Sequence, residues 1–335
     1  MSIDFATGIE RNTVREDYCT KISGCAMALK GTPCPIWLAF LIKVMGDNQE
    51  LVDYLQRVCG YCLTGLITEH AMFFLYGTGA NGKSVFINTL RGIMGTYHTT
   101  APIETFTVAN STQHPTDLAG LVGARLVTAV ETEEGRTWAE SKLKAITGGD
   151  EISARFMRQD FFQFTPTFKL MIAGNHKPRL RSVDEAMRRR FHLIPFSVTI
   201  PKQDRDPDLA EKLKAEWPAI LRWMVEGTMI WQKQGLCPPQ AVLDATNQYL
   251  ETEDSIATWI GDRCECNPSY QDSSASLFAS WKAWAELNGE YAGSQKRLAE
   301  NLQARGMERI TIGHAKKSGY QGIRVITDPD PQHPF

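Results

Sequence analysis

The chain has 335 residues, 43% of them apolar and 22% charged, with a formal net charge of −2. That length allows two or three domains with separate cores. The near-neutral balance excludes a globally basic nucleic-acid protein, so any polyanion site must be a local patch or a pore lining.

No apolar run is long enough to span a bilayer, and Met1 to Glu10 holds no continuous apolar stretch of the signal-peptide kind. A cytoplasmic location without a membrane partner is expected. Among the eight cysteines, Cys59 and Cys62 form C-x-x-C within a helical pattern, and no second ligand pair lies close by. They read as buried thiols in a reducing compartment rather than as a zinc site.

Taken in order, Met1 to about Pro35 is polar and irregular, with Thr7-Gly8 as a turn between short strands. From Pro35 to Ile67, Trp37, Phe40, Leu41 and Val44, then Leu51, Tyr54, Leu55, Val58 and Tyr61, fall at helical spacing. They predict a helical module ahead of the next segment.

Met72 to Tyr76 is a short apolar run that predicts a buried strand. It turns into Gly77, Thr78, Gly79, Ala80, Asn81, Gly82, Lys83 and Ser84, followed by the helical pattern of Val85, Phe86 and Leu90. This is G-x-x-x-x-G-K-S/T between a strand and a helix, the P-loop pattern of nucleoside-triphosphate sites. The glycines let backbone N–H groups converge on phosphate oxygens, and the helix N-terminus adds its positive end. Lys83 is the cation for the β- and γ-phosphates, and the Ser84 hydroxyl is a ligand for Mg²⁺. The backbone from Gly77 to Val85 is the expected nucleotide cradle, with ATP and Mg²⁺ as cofactors.

Arg125 to Glu131, RLVTAVE, predicts a second buried strand that ends in acid, with Glu133 and Glu134 just beyond. In a P-loop chain such acids hold the Mg²⁺ shell and polarise the attacking water. Glu131 is favoured for the metal and Glu133 for water, with Glu134 as its rival.

Trp138 to Ile146 predicts a helix carrying Lys142 and Lys144. Glu151 to Phe164 alternates enough for a β-hairpin with Arg155, Arg158 and Asp160 near its tip. Basic and aromatic residues interleaved there could follow a nucleic-acid backbone, or could simply be a solvated tip. Phe168 to Asn175 is a third apolar strand, and Arg188, Arg189 and Arg190 precede a further one at His192 to Phe196.

Together these segments resemble the superfamily III helicase domain of phage- and plasmid-type primase–helicases, a branch of the AAA+ ATPases. The likeness rests on GTGANGKS, DLAGLVGARLVTAVETEEG, TGGDEISARF, FKLMIAGNHKPRL and RRRFHLIPF, in that order. The stretch WLAFL to LVDYLQRVCGYCLTG is similar to the helical module of poxvirus primase–helicases. The resemblance implies a homo-oligomeric, hexameric ring with ATP between subunits, in a bacterial host cell. Lys83 and Ser84 would act within their own chain. Asn175 would be the sensor, and Arg189 or Arg190 the arginine supplied to the neighbouring subunit's ATP. The hairpin with Arg155 and Arg158 would grip single-stranded DNA, with Lys142 and Lys144 as secondary contacts.

From about Asp206 the pattern is helical up to Cys237-Pro238-Pro239, a predicted lid. Beyond Glu251 to Asp254, three helical patterns and a terminal hairpin give winged-helix order, with Lys316 and Lys317 on the wing and Lys296, Arg297 and Arg305 on the third helix. The expected fold is therefore α/β: a helical module (1–68), a P-loop AAA+ core (69–200), a helical lid (201–250) and a winged-helix-like DNA-binding domain (251–335). The expected activity is ATP-driven translocation on single-stranded DNA in replication of a phage, plasmid or integrated element. A primase or polymerase domain or subunit is a candidate partner, since no primase-like acidic constellation is read in this chain. The rival is an ATPase that loads or remodels proteins at an origin. A small-molecule P-loop kinase would leave the arginine triplet and the C-terminal domain unexplained.

Overall fold

The computed structural model describes residues 2–5, 7–108, 116–131, 135–180, 183–313 and 316–326, the side chain of Glu131 excepted. It divides into two compact units, Met1–Tyr249 and Leu250–Phe335. The sequence-derived boundaries at 68 and 200 fall inside the first unit, for a reason its core makes plain.

The first unit opens with paired strands β1 (Ser2–Ile3) and β2 (Glu10–Arg11), then helices α1 (Pro35–Val44) and α2 (Gln49–Leu63). Strand β3 (Met72–Tyr76), helix α3 (Lys83–Met94) and strand β4 (His98–Thr100) follow. Next come α4 (Thr116–Ala119), β5 (Leu126–Glu131), α5 (Glu140–Gly148), and the hairpin of β6 (Ile152–Ala154) and β7 (Phe162–Phe164). Strand β8 (Lys169–Gly174), helix α6 (Glu185–Arg188), strand β9 (Phe191–Pro195) and helices α7 (Leu209–Gln234) and α8 (Gln240–Thr252) complete the series.

The central sheet is wholly parallel, in the order β4-β5-β8-β3-β9. Strands β3, β5, β8 and β9 read as largely apolar runs because helices and loops cover the sheet, while the edge strand β4 is His-Thr-Thr. Phe73 and Leu75 of β3 join one core with α1, α2, α3 and α7. Phe74 points to the other face, its ring 5.8 Å from that of Trp138. The Trp138 indole N–H donates to Tyr249 Oη of α8 at 3.0 Å.

Helices α1 and α2 are therefore not a separate module. The first turn of α1 is capped from α7: the Glu216 carboxylate accepts from Ile36 N at 3.0 Å and Trp37 N at 2.9 Å. Negative charge at a helix N-terminus satisfies amides that have no partner within the helix. Helix α7, within the stretch expected to form a lid, packs into the shared core, where Leu213, Ile220 and Met224 are fully buried. Helices α2 and α7 cross where Gly60 meets Gly227, and Thr228 Oγ1 donates to Gly60 O at 2.8 Å. A Cβ on Gly60 would lie 2.2 Å from Thr228 N and 2.3 Å from Gly227 C. Gly60→Ala should therefore cost about 3 kcal/mol through overpacking. The loss would be read as a lower urea midpoint at constant m. An unchanged midpoint would mean that the two helices do not approach this closely.

The second unit runs α9 (Ser255–Arg263), β10 (Cys264–Ser273), α10 (Ser274–Leu287), α11 (Gln295–Ala304), β11 (Arg309–Ile312) and β12 (Lys317–Val325). The helices fall where the apolar spacing predicts them, around Trp259, Leu277, Trp281, Leu298 and Leu302. Strand β10 is new. It pairs antiparallel with β12, giving a sheet of order β10-β12-β11 with a register shift between Cys266 and Gln271. Its exposed, proline-containing sequence shows no alternation, so only its partner reveals it.

Candidate nucleotide site and exposed hairpin

The ends of β3, β8 and β5 form one row: Tyr76 lies opposite Gly174, and Gly174 opposite Glu131. The loop Gly77–Gly82 leaves that row and feeds directly into α3 at Lys83. Its curl uses left-handed backbone at Gly79 (φ 110°), Ala80 (φ 51°) and Gly82 (φ 85°). Gly77 is needed for space, since a Cβ there would stand 2.0 Å from Asn81 Nδ2 and 2.2 Å from Phe196 O. Two bonds pin the loop to the chain leaving β9: Asn81 Nδ2 donates to Phe196 O at 2.9 Å, and Ile200 N to Ala80 O at 2.8 Å.

Lys83 is buried, and its ammonium sits among three oxygens. It donates to Gly77 O at 2.5 Å, Asn81 Oδ1 at 3.1 Å and Asn175 Oδ1 at 3.1 Å. Burial lowers its pKa from the ordinary lysine value. A phosphate arriving at the loop would compete with these neutral acceptors and restore a full counter-charge to the ammonium. The structure thus joins Lys83 and Asn175, which are 92 positions apart in the chain. Ser84 is exposed on the first turn of α3, where its hydroxyl can ligate a cation. Thr78 is also exposed. Val85 packs against the core, so only its amide can serve a phosphate.

Glu131 ends β5 in the same row, with β8 between it and the loop-bearing β3. At the usual strand spacing that puts its backbone about 10 Å from β3. The Glu131 side chain, and Glu133 and Glu134 entirely, lie outside the described residues. Lys177 is a residue that sequence reasoning passed over. Its ammonium lies 4.4 Å from the centre of the Tyr76 ring, just beside the start of the loop. Its signal was its place two residues beyond Asn175 in the same exit loop.

The arginine triplet lies at the opposite end of the strands, just before β9, which neighbours β3. Arg190 O accepts from Met72 N, at the start of β3, at 2.8 Å. Five strand residues, about 15 Å, separate that end from the loop. Arg190 itself is buried, donating from Nε to Thr147 Oγ1 at 3.1 Å and from Nη1 to Ala186 O at 2.8 Å. Burial, then the neighbouring Arg189 charge, lowers its pKa. Both of these bonds hold the guanidinium within its own chain. Arg188 is half-buried near Asn247, and Arg189 is exposed.

The secondary lysines are likewise engaged within the chain. Lys142 donates to Thr105 O at 3.0 Å, and Lys144 pairs with Asp184. Both are half-buried. Arg155 and Arg158 instead stand in the exposed tip joining β6 to β7. In the second unit, Lys316 and Lys317 are exposed where β12 begins, and Lys296 is exposed on α11. Arg305 is occupied by a two-pronged bond to Asp254, 2.5 Å to each carboxylate oxygen.

Residues 75–190, from within β3 to the arginine triplet, match the model described as Family of unknown function (DUF5906). A protein of Acanthamoeba polyphaga mimivirus is 27% identical over 242 residues, covering 67% of this chain and 25% of its own length. A protein of Frog virus 3 (isolate Goorha) is 22% identical over 310 residues, covering 86% of this chain and 31% of its own length. One of Invertebrate iridescent virus 3 is 28% identical over 181 residues, covering 52% of this chain and 19% of its own length. All three bear the name "putative helicase". These likenesses support a helicase-like family. The chain spans less than a third of the length of these curated relatives.

Among solved structures, an apo form of the NrS-1 C-terminal region superposes with a TM-score of 0.55 at 10% identity, over 89% of this chain and 77% of that one. Its A form gives 0.52 at 11% identity, over 89% and 78%. At such identity the match concerns the fold alone. Among the described residues, no helix is long and apolar enough to cross a membrane.

Proposed function

We propose that the chain is an ATP-driven helicase motor of the superfamily III, AAA+ type, working on single-stranded DNA as a homo-oligomeric, hexameric ring. The observation that carries this reading is the junction of Lys83 and Asn175 at the loop mouth, with the arginine triplet at the opposite end of the strands. One end of the strands would hold ATP and the other would present Arg189 to a neighbouring subunit. The insertion of β8 between β3 and β5 supports the same reading, because it puts a polar sensor between the loop and the acid-bearing strand.

Ser84 and Glu131 would hold Mg²⁺, which when bound neutralises charge on the β- and γ-phosphates. Lys83 would hold the γ-phosphate, Asn175 would orient the attacking water, and Glu133 or Glu134 would take its proton. Arg155 and Arg158 would contact the strand. The second unit, in winged-helix order with Lys316 and Lys317 on its turn, would add a DNA contact. Replication of a phage, plasmid or integrated element is the setting that suits this combination, with a primase or polymerase domain or subunit as partner.

The test measures ATP turnover with and without single-stranded DNA, together with fork unwinding. Turnover stimulated by the strand, with strand separation, is expected. Turnover indifferent to DNA would sink the helicase reading and favour a protein-remodelling ATPase.

A further inference from the structure

The tip between β6 and β7 exposes more apolar surface than a solvated turn requires. Met157 is 74% exposed, Phe161 59% and Phe156 43%, all within seven residues that also hold Arg155 and Arg158. Leaving such side chains in water forgoes burial that each could gain elsewhere, so a contiguous group of them marks a contact surface. The aromatics are ordered against one another. Phe156 stacks on Phe162 at 5.6 Å and 22°, and Phe162 lies 6.2 Å from Phe164 down the hairpin. The Arg155 guanidinium covers one side of the Phe161 ring, 4.9 Å from its centre. Gln159 N closes the tip on Phe156 O at 3.1 Å, and Arg158 takes a left-handed backbone (φ 61°).

Phe156 and Phe161 thus each have one contact that fixes the ring and remain substantially exposed. A solvated basic tip would need only the arginines. We propose that this tip grips single-stranded nucleic acid through its bases, with Phe161, backed by Arg155, and Phe156, backed by Phe162, as stacking platforms. The arginines add the phosphate contacts. This deepens the DNA-motor reading and rests on it, and it makes a distinct claim: grip depends on the bases and not on strand charge alone. Every base offers a π-face, so stacking suits a motor that must take any sequence. The single acid of the tip, Asp160, leaves a positive balance that suits a polyanion.

The test compares binding of an oligothymidylate with an abasic strand of equal length and charge, on the full chain, by fluorescence anisotropy with a non-hydrolysable ATP analogue. The wild-type chain is expected to bind the oligothymidylate about tenfold more tightly than the abasic strand. Phe161→Leu and Phe156→Leu keep apolar bulk and should erase most of that preference, leaving abasic binding unchanged. Phe161→Tyr should restore it. Arg155→Ala, which removes a phosphate contact and the backing of Phe161, should weaken binding of both strands and lessen the preference.

Equal wild-type affinity for the two strands overturns base stacking while leaving the motor reading in place. Binding of neither strand removes the nucleic-acid reading itself. A preference that survives both leucine variants also overturns the proposal. So does loss of self-association in those variants with the preference intact, which would make the tip a subunit contact.

Discussion

Lys83→Ala should lower ATP turnover by about a thousandfold or more, the scale on which loss of a preorganised charge at a developing anion is felt. The ammonium is buried and already held among Gly77 O, Asn81 Oδ1 and Asn175 Oδ1. Little reorganisation is needed when a phosphate displaces these acceptors, so most of the charge is available to the reaction. Alanine would leave three oxygens facing one another without a donor, and the loop would lose its link to Asn175 as well as its cation. Steady-state turnover and binding of a fluorescent ATP analogue together read the effect. Turnover within a few-fold of wild type would exclude this loop as the hydrolytic site. Asn175→Ala should keep nucleotide binding but reduce turnover, because the amide reaches the mouth without supplying charge.

Arg189→Ala should reduce turnover by roughly 10³–10⁵-fold, the range for an arginine supplied to the transition state of phosphoryl transfer. The decisive measurement mixes it with Lys83→Ala chains. Each variant alone is inactive, yet an interface formed by the intact Lys83 of one chain and the intact Arg189 of the other is whole. Mixtures should therefore regain part of the wild-type rate. The geometry requires this arrangement if Arg189 acts at all. Arg190 O is bonded to Met72 N, at the start of β3, while the phosphate loop leaves the far end of that strand. An arginine side chain cannot span the length of that strand to reach the nucleotide of its own chain. Absence of rescue at every mixing ratio would rule out action between subunits. Arg190→Ala answers a different question. Its guanidinium bridges Thr147 of α5 and Ala186 of α6, so its loss should appear in thermal stability whatever it does to turnover.

Several elements were legible before any fold was known because their signals are local. Apolar runs without alternation marked β3, β5 and β8 as strands buried on both faces. Glycine spacing marked the loop, and helical spacing placed α9, α10 and α11 to within a residue or two. Other features depend on partners distant in the chain. Strand β10 carries no alternation and exists through β12. The arginine triplet looks uniform in sequence, yet one member is buried, one half-buried and one exposed. Lys142 and Lys144 look free on a helix, but carbonyl and carboxylate oxygens on other elements engage them. Charge in a sequence says nothing about which charges are already paired.

The glycine-rich loop and its lysine were legible in the sequence alone. The conformation is set by glycines that tolerate left-handed backbone, and the chemistry by residue types a few positions apart. The tertiary structure decided what surrounds that loop. Strand order inserted β8 between β3 and β5 and so delivered Asn175 to Lys83. Parallel register put the arginines at the opposite end of the strands, and core packing drew α1, α2 and α7 into one body with the sheet. Those outcomes follow from burial shared among segments far apart in the chain, and no local pattern records which segments will share it.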